Sequence, residues 1–178
     1  MGVALTNSFV KPEDVLGQLS LSLGASVADF GCGSGFFSLA FARAVGTSGT
    51  VYALDILPSS LEAVASRAKA LGLSNLVVKR ANLEREKGSG LPDNHLDWVL
   101  LKDVLFQNKS QETLLWEAYR VLKPGGSLFI MEWNDRELSL GPDPNIRISR
   151  ERLVELLSER GFQNFTDIEA GDFHYALV

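Results

Sequence analysis

The sequence predicts an α/β fold in which a mostly parallel sheet is doubly wound, with helices on both of its faces. The strand-like runs are apolar almost throughout, as expected of strands that are buried on both faces, and helical segments lie between most of them. The expected strands are 25–30, 50–55, 75–81, 96–102, 127–133, 164–169 and 173–178. The expected helices are 12–23, 36–45, 58–71, 110–122 and 150–160.

Spacing, turn and capping residues indicate where these elements begin and end. Val15, Leu16 and Leu19 stand at helical spacing in the first helix. Pro58 is suited to the first turn of the third helix, and Ser149 is expected to cap the last one. Glycines follow the first strand, the second helix and the third helix, namely Gly31, Gly46 and Gly72.

Polar, glycine- and proline-containing segments are expected to be loops or turns. They comprise 82–95, the KPGG turn at 123–126, and 134–148. In a parallel sheet of this kind ligands bind beyond the carboxyl ends of the strands. The segments of interest therefore follow residues 30, 55, 81, 102 and 133.

Composition limits the classes of protein to consider. The 178 residues suit one domain and carry a formal charge of -5, which argues against indiscriminate binding to nucleic acid. Cys32 is the one cysteine, so no internal disulfide forms, and no apolar run is long enough for a membrane span. We expect a cytoplasmic protein with a single domain over 1–178, in which 1–23 is a lid segment and 24–178 the core.

Three glycines alternate with other residues directly after the first strand. In the stretch DFGCGSGFFS they are Gly31, Gly33 and Gly35. Glycine allows a sharp turn and a close approach of the backbone to a ligand. A dinucleotide-binding fingerprint would place its third glycine where Phe36 stands, so a nicotinamide-dependent dehydrogenase is disfavoured.

The stretch VADFGCGSG resembles the first motif of class I S-adenosylmethionine-dependent methyltransferases, in which an acid precedes G-x-G-x-G. Asp55 ends the second strand, where that family has a ribose-binding carboxylate. LDWVLLKDVL and VLKPGGSLFIMEW resemble the fourth- and fifth-strand motifs. The closest branch is the small-molecule one that includes ubiquinone and menaquinone biosynthesis methyltransferases. The resemblance implies a Rossmann-like, seven-stranded sheet with an antiparallel last strand.

The resemblance also implies S-adenosylmethionine as cofactor and a role for each motif residue. Asp29 would hold the glycine loop near the cofactor's ammonium group, and Asp55 would bind both ribose hydroxyls. Ile56 and Leu83 would cover the two faces of the adenine, while Asn82 would read its edge. The methionine part would meet the backbone of Gly31, Cys32, Gly33, Gly35 and Lys102.

A catalytic proton acceptor is required only if the methyl acceptor loses a proton. Asp103 and Glu132 are the candidates, because both stand near strand ends on the expected cofactor side. A structural or solvated carboxylate is the competing interpretation for each. His95 and His174 are interpreted as structural histidines, and Cys32 as part of the loop rather than as a nucleophile.

The methyl acceptor stays open at this point. Phe9, Phe106 and Trp133 either bind a flat or apolar acceptor or only pack the lid and the edge of the domain. LKDV stands where amino-directed nucleic-acid methyltransferases have Asn/Asp-Pro-Pro-aromatic, and no metal-ligand spacing is present. We expect transfer to a small molecule, with a possible homodimer. The alternatives are a protein methyltransferase and a non-catalytic S-adenosylmethionine-binding partner subunit.

Overall fold

Seven strands and five α-helices, with two short 3-10 helices (Leu105–Gln107 and Pro144–Ile146), follow one another along residues 10–136 and 140–178, the part of the chain that the computed structural model describes. The strands are β1 (Ser26–Phe30), β2 (Thr50–Asp55), β3 (Leu76–Arg80), β4 (Leu96–Lys102), β5 (Leu122–Trp133), β6 (Asp167–Ile168) and β7 (His174–Leu177). The helices are α1 (Pro12–Leu16), α2 (Phe36–Ala44), α3 (Pro58–Ala70), α4 (Gln111–Val121) and α5 (Arg150–Glu159).

The strands form one mixed sheet in the order β3-β2-β1-β4-β5-β7-β6. Strands β1 to β5 pair in parallel, whereas β7 runs antiparallel to both β5 and β6. The predicted seven-stranded sheet with an antiparallel last strand is therefore confirmed. After β3 at the edge the chain returns to place β4 beside β1, which creates a ligand-binding crevice at the carboxyl ends of those two strands.

Both faces of the sheet are covered because strand side chains alternate between two apolar layers. Helices α1 and α2 pack on one face through residues such as Val15 and Phe41, and α3 joins that face through Leu61. Helices α4 and α5 cover the other face through Leu114 and Leu153. The central strands are thereby buried on both sides, and the carboxyl edge of the sheet is left for loops.

Three elements differ from the sequence prediction. Helix α1 ends at Leu16, directly before the poor helix former Gly17, rather than at residue 23. Beyond the helix, the Gln18 side chain exchanges two hydrogen bonds with the Glu169 backbone. Strand β6 covers only Asp167–Ile168, and the expected start at Asn164 is wrong because Asn164 adopts a left-handed conformation. The predicted KPGG turn is instead a bulge inside β5. Leu122 pairs with Leu96 and Ser127 pairs with Trp98, so residues 123–126 of β5 lie opposite the single residue Asp97 of β4.

The loop 82–95 is fixed to α4 by a buried ion pair. Glu117 is fully buried and accepts hydrogen bonds from the Ser89 backbone N–H (3.0 Å) and from Arg120 Nε (2.9 Å). Arg120 also donates to the Leu91 carbonyl (2.9 Å). Burial by itself raises the pKa of Glu117, but the hydrogen bonds from Arg120 and Ser89 outweigh it and hold that pKa below its ordinary value.

We expect Arg120→Leu to lower the free energy of unfolding by about 3–5 kcal/mol at neutral pH, because it leaves an uncompensated buried carboxylate. Chemical denaturation measures the loss. Arg152→Leu is the matched control, since Arg152 and Glu155 form an i,i+3 pair on the surface of α5. That control should lose at most about 1 kcal/mol.

The pH dependence of the same variant provides a second measurement. The pKa of Glu117 is lower in the folded than in the unfolded chain, so its stabilisation is present above the unfolded pKa and is lost as the pH falls through the folded one. The penalty of Arg120→Leu should therefore shrink in acid. Equal losses in the two arginine variants would contradict the assigned anchoring role.

Candidate active site

The glycine turn after β1 is shaped by close packing against two valines. Gly31 and Gly35 both have a φ of +79°. A Cβ atom added at Gly31 would lie 2.8 Å from Val104 Cγ2, and one added at Gly35 would lie 2.5 Å from Val64 Cγ2. Glycine is required at both positions by the backbone conformation and by the space. The turn is thereby seated between the loop after β4 and helix α3.

Gly33, in the middle of the turn, has open space in front of it. Its φ is +49°, and an added Cβ would meet no other described residue within 4 Å. Its N–H donates to Asp55 Oδ2 at 2.9 Å. The turn therefore presents backbone without a side chain toward a cavity. The Asp55 carboxylate, which ends β2, holds the turn in place.

That cavity, of about 380 Å³, is lined by the residues expected to bind adenosine. Asp55 lies at its wall and is largely buried, with Oδ1 accepting from the Leu57 N–H at 2.9 Å. Ile56 is 47% exposed and Leu83 is buried. The side-chain oxygen of Asn82 accepts from the Glu84 N–H at 3.1 Å. The structure thus brings all four residues to one cavity that pairs a carboxylate with apolar walls.

Asp29 lies behind the glycine turn at a second cavity of about 550 Å³. Burial raises its pKa to about 6, against the opposing effects of the Ser38 hydroxyl, which donates to it at 2.5 Å, and of Lys102. The two cavities share Gly31, Gly33 and Gln107 in their linings. An extended ligand can therefore pass over the glycine turn from one cavity into the other.

Cys32 stands in the second cavity's wall without the properties of a nucleophile. It is buried, and its thiol lies 3.9 Å from the Gly33 carbonyl oxygen. Burial, reinforced by the charges of Asp29 and Asp55, raises the pKa of Cys32 well above its usual range. The thiol stays protonated at neutral pH and is correspondingly unreactive.

Lys102 and Asp103, at the end of β4, line the second cavity and form an ion pair. His174 Nε2 lies 3.0 and 3.3 Å from the two carboxylate oxygens of Asp103. The sequence interpretation of His174 as a structural histidine did not include this contact, because Asp103 lies 71 positions away in the chain. The contact arises from the antiparallel pairing of β5 with β7, in which Trp133 faces His174.

Glu132, the other carboxylate expected as a proton acceptor, is almost fully buried beneath the loop after β4. Its Oε1 accepts from the N–H groups of Val104 (3.0 Å) and Leu105 (2.8 Å), and its Oε2 has no partner within the described ranges. Burial, with the charge of Asp103, raises its pKa to about 7. It is absent from the described linings of both cavities.

The two described aromatic residues that were expected around an acceptor, Phe106 and Trp133, line neither cavity. Phe9 lies outside the described residues. Trp133 packs against His174, with ring centroids 4.5 Å apart, and against Phe173. A Cβ added at Gly141 would lie 2.5 Å from the Trp133 ring. Neither Phe106 nor Trp133 is among the described residues that line the two cavities, whose aromatic members are Phe36 and Phe37.

The residues present fit an S-adenosylmethionine-like molecule. The open space at Gly33 is the kind that a ligand, rather than a protein side chain, can occupy. One end of the cleft offers a carboxylate between apolar walls, suited to a nucleoside, and the other offers Asp29, suited to an ammonium group. No cluster of three or more metal-ligand side chains occurs within residues 10–136 and 140–178.

Comparison with known proteins identifies the family. The model of the methyltransferase domain matches residues 21–166. The demethylmenaquinone methyltransferase of Geobacillus kaustophilus is 33% identical over 120 residues, 67% of this chain and 50% of that protein. The ubiquinone/menaquinone biosynthesis C-methyltransferase of Psychromonas ingrahamii is 35% identical over 112 residues, 62% of this chain and 43% of that protein. The chain thus spans about half the length, or less, of these curated relatives.

A solved structure resembles the fold over nearly its whole length. A SAM-dependent methyltransferase from Aquifex aeolicus superposes with a TM-score of 0.85 and 28% identity, covering 95% of this chain and 88% of that one. The predictions of a Rossmann-like fold and of S-adenosylmethionine as cofactor are confirmed at the level of the family. The chain belongs to the methyltransferase domain family.

Proposed function

We propose that this protein transfers a methyl group from S-adenosylmethionine to a small-molecule acceptor. The observation that carries the proposal is the cavity at the carboxyl end of β2, where Asp55 stands between Ile56 and Leu83 beside the open backbone of Gly33. The demethylmenaquinone and ubiquinone/menaquinone methyltransferases to which the chain is similar make a quinone, or its hydroquinone form, the first acceptor class to test.

The adenosine end of the site is bound by four side chains in this proposal. The Asp55 carboxylate accepts hydrogen bonds from the two ribose hydroxyls through the lone pairs that its backbone donors leave over. Ile56 and Leu83 enclose the adenine between apolar surfaces, and Asn82 reads its edge. The carboxylate contributes most to affinity, because hydrogen bonds to charged groups are stronger than those to neutral groups.

The methionine end lies over the glycine turn. Gly31, Cys32, Gly33 and Gly35 contribute backbone surface. Asp29 and the Lys102 carbonyl face the ammonium group. A cation beside Asp29 favours its ionised form, which burial alone disfavours. Cofactor and carboxylate therefore stabilise each other's charge.

The chain accelerates the reaction chiefly by holding donor and acceptor in line. The bound cofactor supplies a methyl carbon that is activated by a positively charged sulfur. Fixing two reactants at attack distance contributes up to about 7–11 kcal/mol. Val10 and Pro12 border the second cavity with Phe36 and Phe37, which supports the proposal that segment 1–23 is a lid over the acceptor.

Two further features belong to the proposal. No helix among the described residues is long and apolar enough to cross a membrane.

We propose a cytoplasmic enzyme built from a single domain over 1–178 that functions as a homodimer. Size-exclusion chromatography with light scattering tests the oligomeric state. Binding of the cofactor without methylation of any acceptor would instead favour the non-catalytic partner subunit.

Asp55→Asn should weaken the binding of S-adenosylmethionine and S-adenosylhomocysteine by about 10- to 100-fold, because it removes the charge that accepts the ribose hydroxyls. Isothermal titration calorimetry measures both ligands. The control is Glu62→Gln, which removes one exposed negative charge from α3. If Asp55→Asn bound both ligands with wild-type affinity, the cavity at Asp55 would not be the cofactor site and the proposed function would lose its support.

Gly33→Ala should lose most of its cofactor affinity while remaining folded, because the added methyl group fills space that the ligand needs. Gly72→Ala is matched to it: Gly72 has a φ of +67° and nothing within 4 Å of an added Cβ, but it ends α3 away from the cavities. Both variants should cost about 1–2 kcal/mol of stability for a left-handed alanine. Thermal denaturation and calorimetry together separate the two effects, and equal affinity in both variants would show that Gly33 does not face the ligand.

A further inference from the structure

We propose that Asp103 takes the proton released by the methyl acceptor and that His174 is the positioning residue that holds the Asp103 carboxylate for this task. The inference rests on the proposed function and extends it to the acceptor: the atom that is methylated is an oxygen or a carbon that loses a proton, not an amine nitrogen.

The placement of Asp103 is the first observation. Asp103 directly follows β4 at the switch point, and it lines the second cavity together with Asp29, Cys32 and Gly33. Its φ is +55°, a left-handed conformation that is uncommon for a residue other than glycine. Its N–H is nevertheless fixed to the Met131 carbonyl at 2.9 Å. Strained residues that are held by their surroundings concentrate at active sites.

The fixation of the carboxylate is the second observation. His174 Nε2 approaches both oxygens of Asp103, at 3.0 and 3.3 Å, and the Lys102 ammonium pairs with Oδ2. The imidazole is buried and stacks against Trp133, so its own orientation is fixed. A side chain that contacts the carboxylate from behind, without lining the cavity, orients it and does not itself meet the acceptor.

Glu132 does not compete for this role. It is buried beneath the loop after β4, where it accepts the N–H groups of Val104 and Leu105. Asp29 also lines the second cavity, but the Ser38 hydroxyl holds its Oδ2 against α2. Of the described carboxylates around the second cavity, only Asp103 both lines the cavity and is held by two side chains, Lys102 and His174.

The strength of Asp103 as a base selects the kind of acceptor. Burial raises its pKa, but the hydrogen bond from His174 and the charge of Lys102 prevail and hold that pKa below its ordinary value. The side chain therefore stays ionised at neutral pH and is a weak base. A hydroxyl oxygen or an aromatic carbon becomes strongly acidic as it gains a methyl group, so a weak base suffices. A methylated ammonium would keep its proton.

The proposed step balances in atoms and charge. The acceptor oxygen or carbon forms a bond to the methyl carbon as the sulfur–methyl bond breaks, and the electron pair of that bond stays on sulfur. The proton of the acceptor passes to an Asp103 oxygen. Solvent removes the proton when the product leaves. No oxidant, reductant or metal takes part.

The first experiment measures methyl transfer to 1,4-naphthohydroquinone together with S-adenosylhomocysteine affinity. Asp103→Asn should lower kcat by about 10²- to 10⁴-fold, the usual contribution of a general base, and should leave the S-adenosylhomocysteine affinity unchanged. His174→Leu should lower kcat by about 10- to 100-fold with little change in KM, because the carboxylate loses its orientation. His174→Gln keeps an N–H donor and should recover most of that loss.

His95→Leu is the matched control, since His95 precedes β4 at the opposite end of that strand and contacts the Tyr52 hydroxyl. It should retain wild-type kcat. A wild-type kcat in Asp103→Asn, or a loss in His174→Gln equal to that in His174→Leu, would overturn the inference and leave the proposed function intact. If the wild-type protein did not bind S-adenosylhomocysteine, that result would instead overturn the proposed function.

A second experiment decides the point even if naphthohydroquinone is not methylated. The absorbance of 4-nitrophenol, bound in the presence of S-adenosylhomocysteine, reports the ionisation of its hydroxyl group. Beside the ionised Asp103 the pKa of the bound phenol should lie above that of the free phenol. In Asp103→Asn it should be lower by about 1 or more, because the neighbouring negative charge is gone. No binding, or the same pKa in both proteins, contradicts the proposal.

Discussion

The whole site depends on the close packing of the glycine turn against two valines. Because Gly31 lies against Val104 and Gly35 against Val64, neither position has room for a Cβ atom. This contact joins β1 to the loop after β4 and to α3, and it turns the backbone of Gly33 outward. The hydrogen bond from Gly33 to Asp55 then fixes the end of β2 to the same turn. The two cavities form on either side of it.

Two buried glutamates support the loops that wall these cavities. Glu117, paired with Arg120, fixes the loop 82–95, which contains Leu83. Glu132 accepts the N–H groups of Val104 and Leu105 and so fixes the loop after β4. Each accepts hydrogen bonds from backbone N–H groups that would be costly to leave unpaired. The two pKa values shift in opposite directions because burial prevails at Glu132, whereas the hydrogen bonds from Arg120 and Ser89 outweigh burial at Glu117.

The carboxylates that face the cleft differ in the same way, and these differences suit distinct tasks. Asp29, buried against Ser38, gains from a positive charge brought by a ligand. Asp103, already paired with Lys102 and His174, stays ionised without one. Asp55 is held by two backbone N–H groups at the wall of the adenosine-sized cavity. One edge of one sheet thus carries three carboxylates with separate environments.

The sequence by itself determined the fold class, the order of the elements and the glycine-turn and strand-end residues that line the two cavities. These depend on local signals: apolar strands, glycines at fixed spacing, and Asp29 and Asp55 at strand ends. Only the tertiary structure decided that Gln18 binds the Glu169 backbone, that KPGG bulges inside β5, and that His174 contacts Asp103. The reason is that each of these rests on contacts between residues distant in the chain, such as Gln18 with Glu169 and β5 with β7, which no local pattern records.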